Sequence, residues 1–153
     1  MRKFLGVDIG IRNLAMVEIG VSEAGQIDSV QVNLLDLGGT KTSILKILQL
    51  DVLHKYFDTC FEGVYIEQQS NRSAKCFGLM CSFFLGFTRG SKECKVVDPK
   101  NKFKRAKDLG IEAASMYTKK NSTYKLRKDC AVRMVQEICH VLNLQNPMQP
   151  YKK

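Results

Sequence analysis

The hydrophobic pattern changes period once, near residue 40, and no other feature restricts the folds open to this chain so strongly. Before the change come three strand-like runs, residues 4–8 (FLGVD), 14–20 (LAMVEIG) and 30–37 (VQVNLLDL), with turn-forming segments at 10–13 and 24–26. Connections this short join antiparallel neighbours, because a parallel return needs a longer crossover. After the change, residues 42–61 place Ile44, Ile47, Leu48, Val52, Leu53 and Phe57 near helical spacing behind a Gly-Gly-Thr start. Residues 64–67 (VYIE) read as a strand, 71–88 as a long apolar helix ending before Gly90, and 95–97 as a strand closed by Pro99. A basic helix with flexible edges follows as far as Lys120. Residues 124 or 125 to 142 form a closing helix with Ala131, Val135, Ile138 and Leu142 on one face. The order βββ-α-β-α-β-α-α predicts an α/β fold, a mixed five-stranded sheet flanked by helices. A single domain over 1–153 is expected, with a loose tail from about residue 145.

Charge narrows the partners. Lys and Arg number 24 against 15 Asp and Glu, a net +9, and residues 92–133 hold thirteen of the cations with five acids. Nearly all the excess therefore lies in one third of the chain. A polyanion suits such a surface, since each phosphate neutralised releases counterions; a set of solvated helix faces competes evenly with that reading on charge alone. The longest nearly apolar stretch, 76–87, is twelve residues, short of the roughly twenty that span a bilayer. The opening MRKFLGVDIG enters a strand without signal-peptide layout, so an intracellular protein away from membranes is expected. Cys60, Cys76, Cys81, Cys94, Cys130 and Cys139 contain no C-x-x-C pair and no His at ligand spacing; reduced, mostly buried thiols are expected.

The acids carry the chemistry. Asp8 closes the apolar run FLGVD, and a carboxylate there is costly unless it is paired, hydrogen-bonded or metal-bound. Glu67 repeats the arrangement at the end of VYIE and is followed by Gln68 and Gln69. If the two strands are adjacent, both carboxylates emerge side by side, and a divalent cation would remove their repulsion while ordering a water. Asp129, near the start of the last helix in YKLRKDCAVRMV, is a third candidate, although a surface acid or helix cap accounts better for it taken singly. Lys100 and Lys102 follow Pro99 at a strand exit, where a lysine can stabilise a pentacovalent phosphate or simply clamp one. His54 and His140 fall in helical patterns and read as structural. The helix over 71–88 is apolar nearly all round, which suits burial on two sides, within the domain or between subunits.

These residues resemble a known family. The run FLGVDIGIRNLAMVEI, then VYIEQQ, then VDPKNKFK and a terminal RKDCAVRMV resembles, in order and over essentially the whole chain, the RuvC-like Holliday junction resolvases. The likeness is greatest to the poxvirus-type and fungal mitochondrial branches. The resemblance implies an RNase H-like fold, magnesium (with manganese able to substitute) bound by Asp8, Glu67 and Asp129, and a homodimer that nicks opposed strands of branched DNA at a four-way junction. By the V-x-P-x-x-K pattern it favours Lys102 over Lys100 as the lysine near the scissile phosphate. Asn71, Arg72 and Ser73 fall where DNA contact is expected, with Gln68 and Gln69 as supporting partners. Lys100, Lys104, Lys119, Lys120, Lys125, Arg127 and Lys128 read as backbone clamps. Tyr117 and Tyr124 flank the Lys119–Lys120 loop, where stacking on unpaired bases competes with plain packing. The departure is in the last helix: the family carries two acids three or four residues apart, whereas here Asp129 has Leu126 and Lys125 before it and Val132 and Arg133 after it.

Four functions fit these residues: the junction endonuclease; an RNase H-like nuclease on RNA or RNA–DNA hybrid; a catalytically weak junction-binding protein left by loss of the fourth acid; and, remotely, a sugar-kinase-like ATPase suggested only by DIGIRN. The resemblance places the protein at a viral replication site in the host cytoplasm, or in a mitochondrion if the fungal branch applies.

Overall fold

The computed structural model describes all residues except 71, 109, 117–123 and 142–153, with backbone alone for 116, 124–128, 131, 139 and 141. The chain divides into two compact units, Met1–Val97 and Asp98–Lys153. In the first, β1 (Arg2–Ile9), β2 (Asn13–Val21) and β3 (Ile27–Asp36) form the expected antiparallel meander. β4 (Gly63–Glu67) pairs with β1 in parallel and β5 (Cys94–Val97) pairs with β4 in parallel. The order β3-β2-β1-β4-β5 is the mixed five-stranded sheet expected, with β1 between a local and a distant partner.

Strand alternation decides what is buried. Leu5, Val7 and Ile9 of β1, Leu14 and Met16 of β2, and Val64 and Ile66 of β4 form one apolar face. That face packs with side chains of α1 (Ile44–Leu48), α2 (Asp51–Phe57) and α3 (Ala74–Gly90). Phe57, Phe61, Phe83 and Phe87 add a cluster of tilted and edge-on rings. Burying side chains of this size is worth roughly 1.5–3 kcal/mol each. Packing therefore holds α1 and α2, of five and seven residues, well below the ~12–15 at which an isolated helix is even marginal.

One helix was expected over 42–61, and two are found. Ser43 caps α1 by accepting from the Lys46 amide at 3.3 Å, and Leu50, in an extended conformation, starts α2. The break has a packing cause. Ile47 and Leu53 are six residues apart, about 240° around a continuous helix, yet both are fully buried in the same core. The Gly-Gly-Thr segment forms a tight turn instead of a helix start: Gly38 and Gly39 take φ of +65° and +69° before a single 3-10 turn at Gly39–Lys41. α3 begins at Ala74 behind the cap Ser73, three residues later than expected, and includes Gly90.

In the second unit, α4 (Asn101–Asp108) and α5 (Tyr124–Val141) bracket a 3-10 turn at Glu112–Met116. The basic helix expected to reach Lys120 thus stops at Asp108. Gly110 at φ +76° ends it, its amide donating to the Lys107 carbonyl while that of Ile111 donates to Ala106. Phe103, Ala106, Ala113, Ala114, Cys130 and Met134 form the described core of this unit.

The described thiols are free, as expected, but not mostly buried: Cys76 and Cys130 are buried, Cys81 and Cys94 half-buried, and Cys60 exposed. A surface turn at the end of α2 leaves Cys60 outside the apolar face. Burial pushes the Cys94 and Cys130 thiols up from the ordinary range. His54 and His140 are exposed. Among the described residues, no helix is long and apolar enough to cross a membrane.

Candidate active site

Asp8 and Glu67 come together through the sheet register. The β1–β4 ladder pairs Gly6 with Tyr65 and Val7 with Ile66, so the next residue on each strand is an acid. Val7 and Ile66 point into the core, and alternation sends Asp8 and Glu67 to the opposite face. Neighbouring strands lie about 4.8 Å apart, which roots the two carboxylates at about that spacing. Like charges at such a distance repel by roughly 1 kcal/mol in water and about 3 kcal/mol at an effective dielectric near 20. Asp8 is exposed and Glu67 half-buried, so solvent screens the first more than the second.

The surroundings of the pair are built from backbone. Gly10 donates to the Asn13 carbonyl at 2.7 Å and closes the hairpin just after Asp8. Arg12, in that hairpin, lies 3.7 Å from Asp36 at the end of β3. On the other strand, the Gln68 amide donates to the Val97 carbonyl at 2.9 Å, and the Gln69 side chain donates to the Glu67 carbonyl oxygen at 3.3 Å. Gln69 therefore supports the backbone of Glu67. Arg72 is exposed just before α3.

The remaining candidates belong to the second unit. Asp129 is exposed on α5, with Cys130 buried beside it in sequence and donating to the Ala113 carbonyl at 2.9 Å. Lys100, Lys102 and Lys104 are all exposed. The Lys100 amide donates to Asp98 Oδ1 at 2.8 Å, and the Lys102 ammonium lies 5.6 Å from the Phe103 ring centroid. Lys125, Arg127 and Lys128 are on the first turns of α5, their side chains outside the described residues; Asn71, Lys119 and Lys120 lie outside them altogether, as does Tyr117.

Two residues escaped the sequence reading. Glu137 of α5 accepts from the amides of Glu112 and Ala113 at 2.8 and 3.0 Å, capping the 3-10 turn. The other described acid of the last helix is thus already engaged. Lys75, in the first turn of α3, donates to the carbonyls of Leu37 and Gly39. Its one sequence signal is a cation at the wrong end of a helix dipole.

The pair suits a hard, oxygen-liganded cation in kind, because it offers two carboxylates and no thiolate or imidazole. It does not complete a site alone: no group of three or more His, Cys, Asp or Glu able to hold a metal occurs among the described residues.

Comparison with known proteins agrees with this architecture. The profile of the family described as Poxvirus A22 protein matches residues 4–153. No curated protein matches the sequence. Among solved structures, RuvC of T. thermophilus in complex with a Holliday junction substrate is similar at a TM-score of 0.54 and 19% identity, covering 97% of this chain and 84% of that one. The yeast mitochondrial Holliday junction resolvase Ydc2 is similar at 0.59 and 14% identity, covering 94% of this chain and 65% of its own length. The fowlpox virus resolvase, in complex with substrate Holliday junction DNA, aligns at 0.41 and 20% identity over 92% and 97% of the two chains. At these identities the first two establish a shared α/β, RNase H-like fold.

Proposed function

Because this chain belongs to the Poxvirus A22 protein family, we propose that it is a Holliday junction resolvase, a nuclease that hydrolyses phosphodiesters in opposed strands of four-way DNA junctions. The observation that carries this reading is the acid pair, Asp8 beside Glu67 at the ends of adjacent parallel strands. Family membership over residues 4–153 and the likeness to RuvC and Ydc2 support it.

Asp8 and Glu67 hold magnesium, or manganese in its place, and Asp129 is the third acid. Bound there, the ion supplies a polarised water and charge neutralisation for phosphodiester hydrolysis. Lys102 stabilises charge on the phosphate electrostatically. Lys100, Lys104, Lys119, Lys120, Lys125, Arg127 and Lys128 grip the strand through its phosphates, with Asn71 and Arg72 near the cut. Glu137 is not the fourth acid, since its carboxylate caps a turn. The protein works as a homodimer inside the infected cell, where virus DNA is replicated. Symmetric cuts on a two-fold junction need two sites related by a two-fold axis. The outer stripe of α3, with Phe77 41% and Leu85 66% exposed and Cys81 half-buried between them, supplies the interface.

The test is a panel of four-way junction, duplex, flap and RNA–DNA hybrid, each with and without magnesium or manganese. Paired, metal-dependent cuts in the junction are expected. Asp8→Asn and Glu67→Gln should each lower cutting by about 10²–10³-fold while junction binding persists. Normal cutting by either variant would overturn the mechanism. Preferential cutting of the hybrid would move the chain to the RNA-directed reading, and binding without cutting in either metal would make it a junction-binding protein.

A further inference from the structure

We propose that Lys75 is a positioning residue that sets the separation of Asp8 and Glu67 by tying the exits of their two strands to one turn. The role rests on the nuclease reading above, but the restraint itself can be measured without it.

The β1–β4 pairing ends just before the acids. Its last β1–β4 pair is Val7 with Ile66; beyond it Asp8 pairs with Ala15 of β2, and Glu67 with Val97 of β5. The two acids therefore stand at the open end of the β1–β4 ladder, one position past its last residue pair. Past that pair the chain leaves the two strands by different connections, a hairpin after Asp8 and the approach to α3 after Glu67.

Lys75 is placed to tie these connections together. It is the second residue of a seventeen-residue helix whose first turn contains no acid, so its charge opposes the positive end of the helix dipole. The compensation is local: Nζ donates to the Leu37 carbonyl oxygen at 3.1 Å and to that of Gly39. Gly38 and Gly39 both adopt left-handed φ, a region that a side chain would make strained, and the turn they build brings both carbonyls to the same ammonium.

From this turn the restraint runs both ways. Leu37 donates its amide to the Arg12 carbonyl at 2.5 Å, and Asp36 lies 3.7 Å from Arg12 while accepting from the Gly38 amide at 2.8 Å. Arg12 sits in the hairpin that Gly10 and Asn13 close just after Asp8. On the Glu67 side, Ser73 caps the helix bearing Lys75, and the Gln69 amide donates to Met80 Sδ at 3.3 Å, pinning the connection from β4 onto α3. Lys75 thus joins the hairpin following one acid to the helix following the other. An ammonium suits the task, having three donors on a flexible stem where two carbonyls must be reached.

The experiment compares the full-length wild type with Lys75→Met and Lys75→Arg by amide hydrogen exchange, magnesium titration of junction cutting, and junction binding without metal. In Lys75→Met, exchange at residues 10–13 and 37–39 should quicken about tenfold, as loss of a charge-assisted hydrogen bond implies, while the centre of β2 is unchanged. The magnesium concentration for half-maximal cutting should rise by a similar factor, with metal-free binding unaltered, and Lys75→Arg should restore most of both. If Lys75→Met does not fold, Lys75→Gln takes its place with the same readouts. Unchanged exchange at 10–13 would overturn the proposal, as would faster exchange throughout the unit that Lys75→Arg does not rescue. A wild type that cuts nothing would instead refute the nuclease reading, leaving the exchange result to decide the restraint.

Discussion

Glu137 shows how a single carboxylate can be assigned by what it already does. Both of its oxygens accept backbone amides at the start of the 3-10 turn. Glu137→Ala should therefore lower the stability of the protein by about 1–3 kcal/mol, read from the denaturant midpoint, and leave the magnesium dependence of cutting unchanged. A metal ligand would behave the opposite way. Sequence alone reached Asp8 and Glu67 because a charge at the end of an apolar strand has few cheap explanations. It could not reach Lys75 or Glu137, whose partners are backbone groups distant in the chain and carry no side-chain signature. Asp129 was a candidate mainly through resemblance.

At the scale of elements, the strands and their antiparallel meander were readable because alternation and short turns are local signals; the β1–β4 pairing, a distant contact, was not, and the helix boundaries were less so. The α1–α2 break and the stop at Gly110 follow from where Ile47 and Leu53 must both go and from a left-handed residue, neither of which changes the hydrophobic period. The glycines of α3 were legible as composition but not as packing. A Cβ on Gly86 would lie 2.6 Å from the Phe57 ring, and one on Gly78 2.6 Å from Ile44. These positions let α1 and α2 approach α3 closely. Gly86→Ala gains about 1 kcal/mol of helix propensity but overpacks this contact, at a cost of about 1–3 kcal/mol. A lowered melting temperature is expected on calorimetry; a raised one would mean that the ring moves aside freely.

For the whole molecule, the proposed pairing of two copies makes α3 the decisive surface. Leu85→Asp removes an exposed apolar side chain from each half of a two-fold interface. With roughly 1.5–3 kcal/mol for each Leu, the dimer should weaken by about 10²-fold or more. Sedimentation would then report monomers, and junctions would be nicked in one strand at a time instead of resolved. An unchanged mass would place the interface elsewhere. The concentration of positive charge in residues 92–133 belongs to this scale too, since it suits a polyanion but specifies neither its strandedness nor its branching.

The position of β1 in the sheet has one more consequence. Its partner on one side, β2, is reached through a hairpin of a few residues, whereas its partner on the other, β4, arrives only after β3, α1 and α2 have been made. Local pairings close first and distant ones last, because loop closure must be met before the contact rewards it. As the chain leaves the ribosome, Asp8 is in its strand well before Glu67 exists to stand beside it. The order of synthesis thus keeps the two acids apart until β4 has been made.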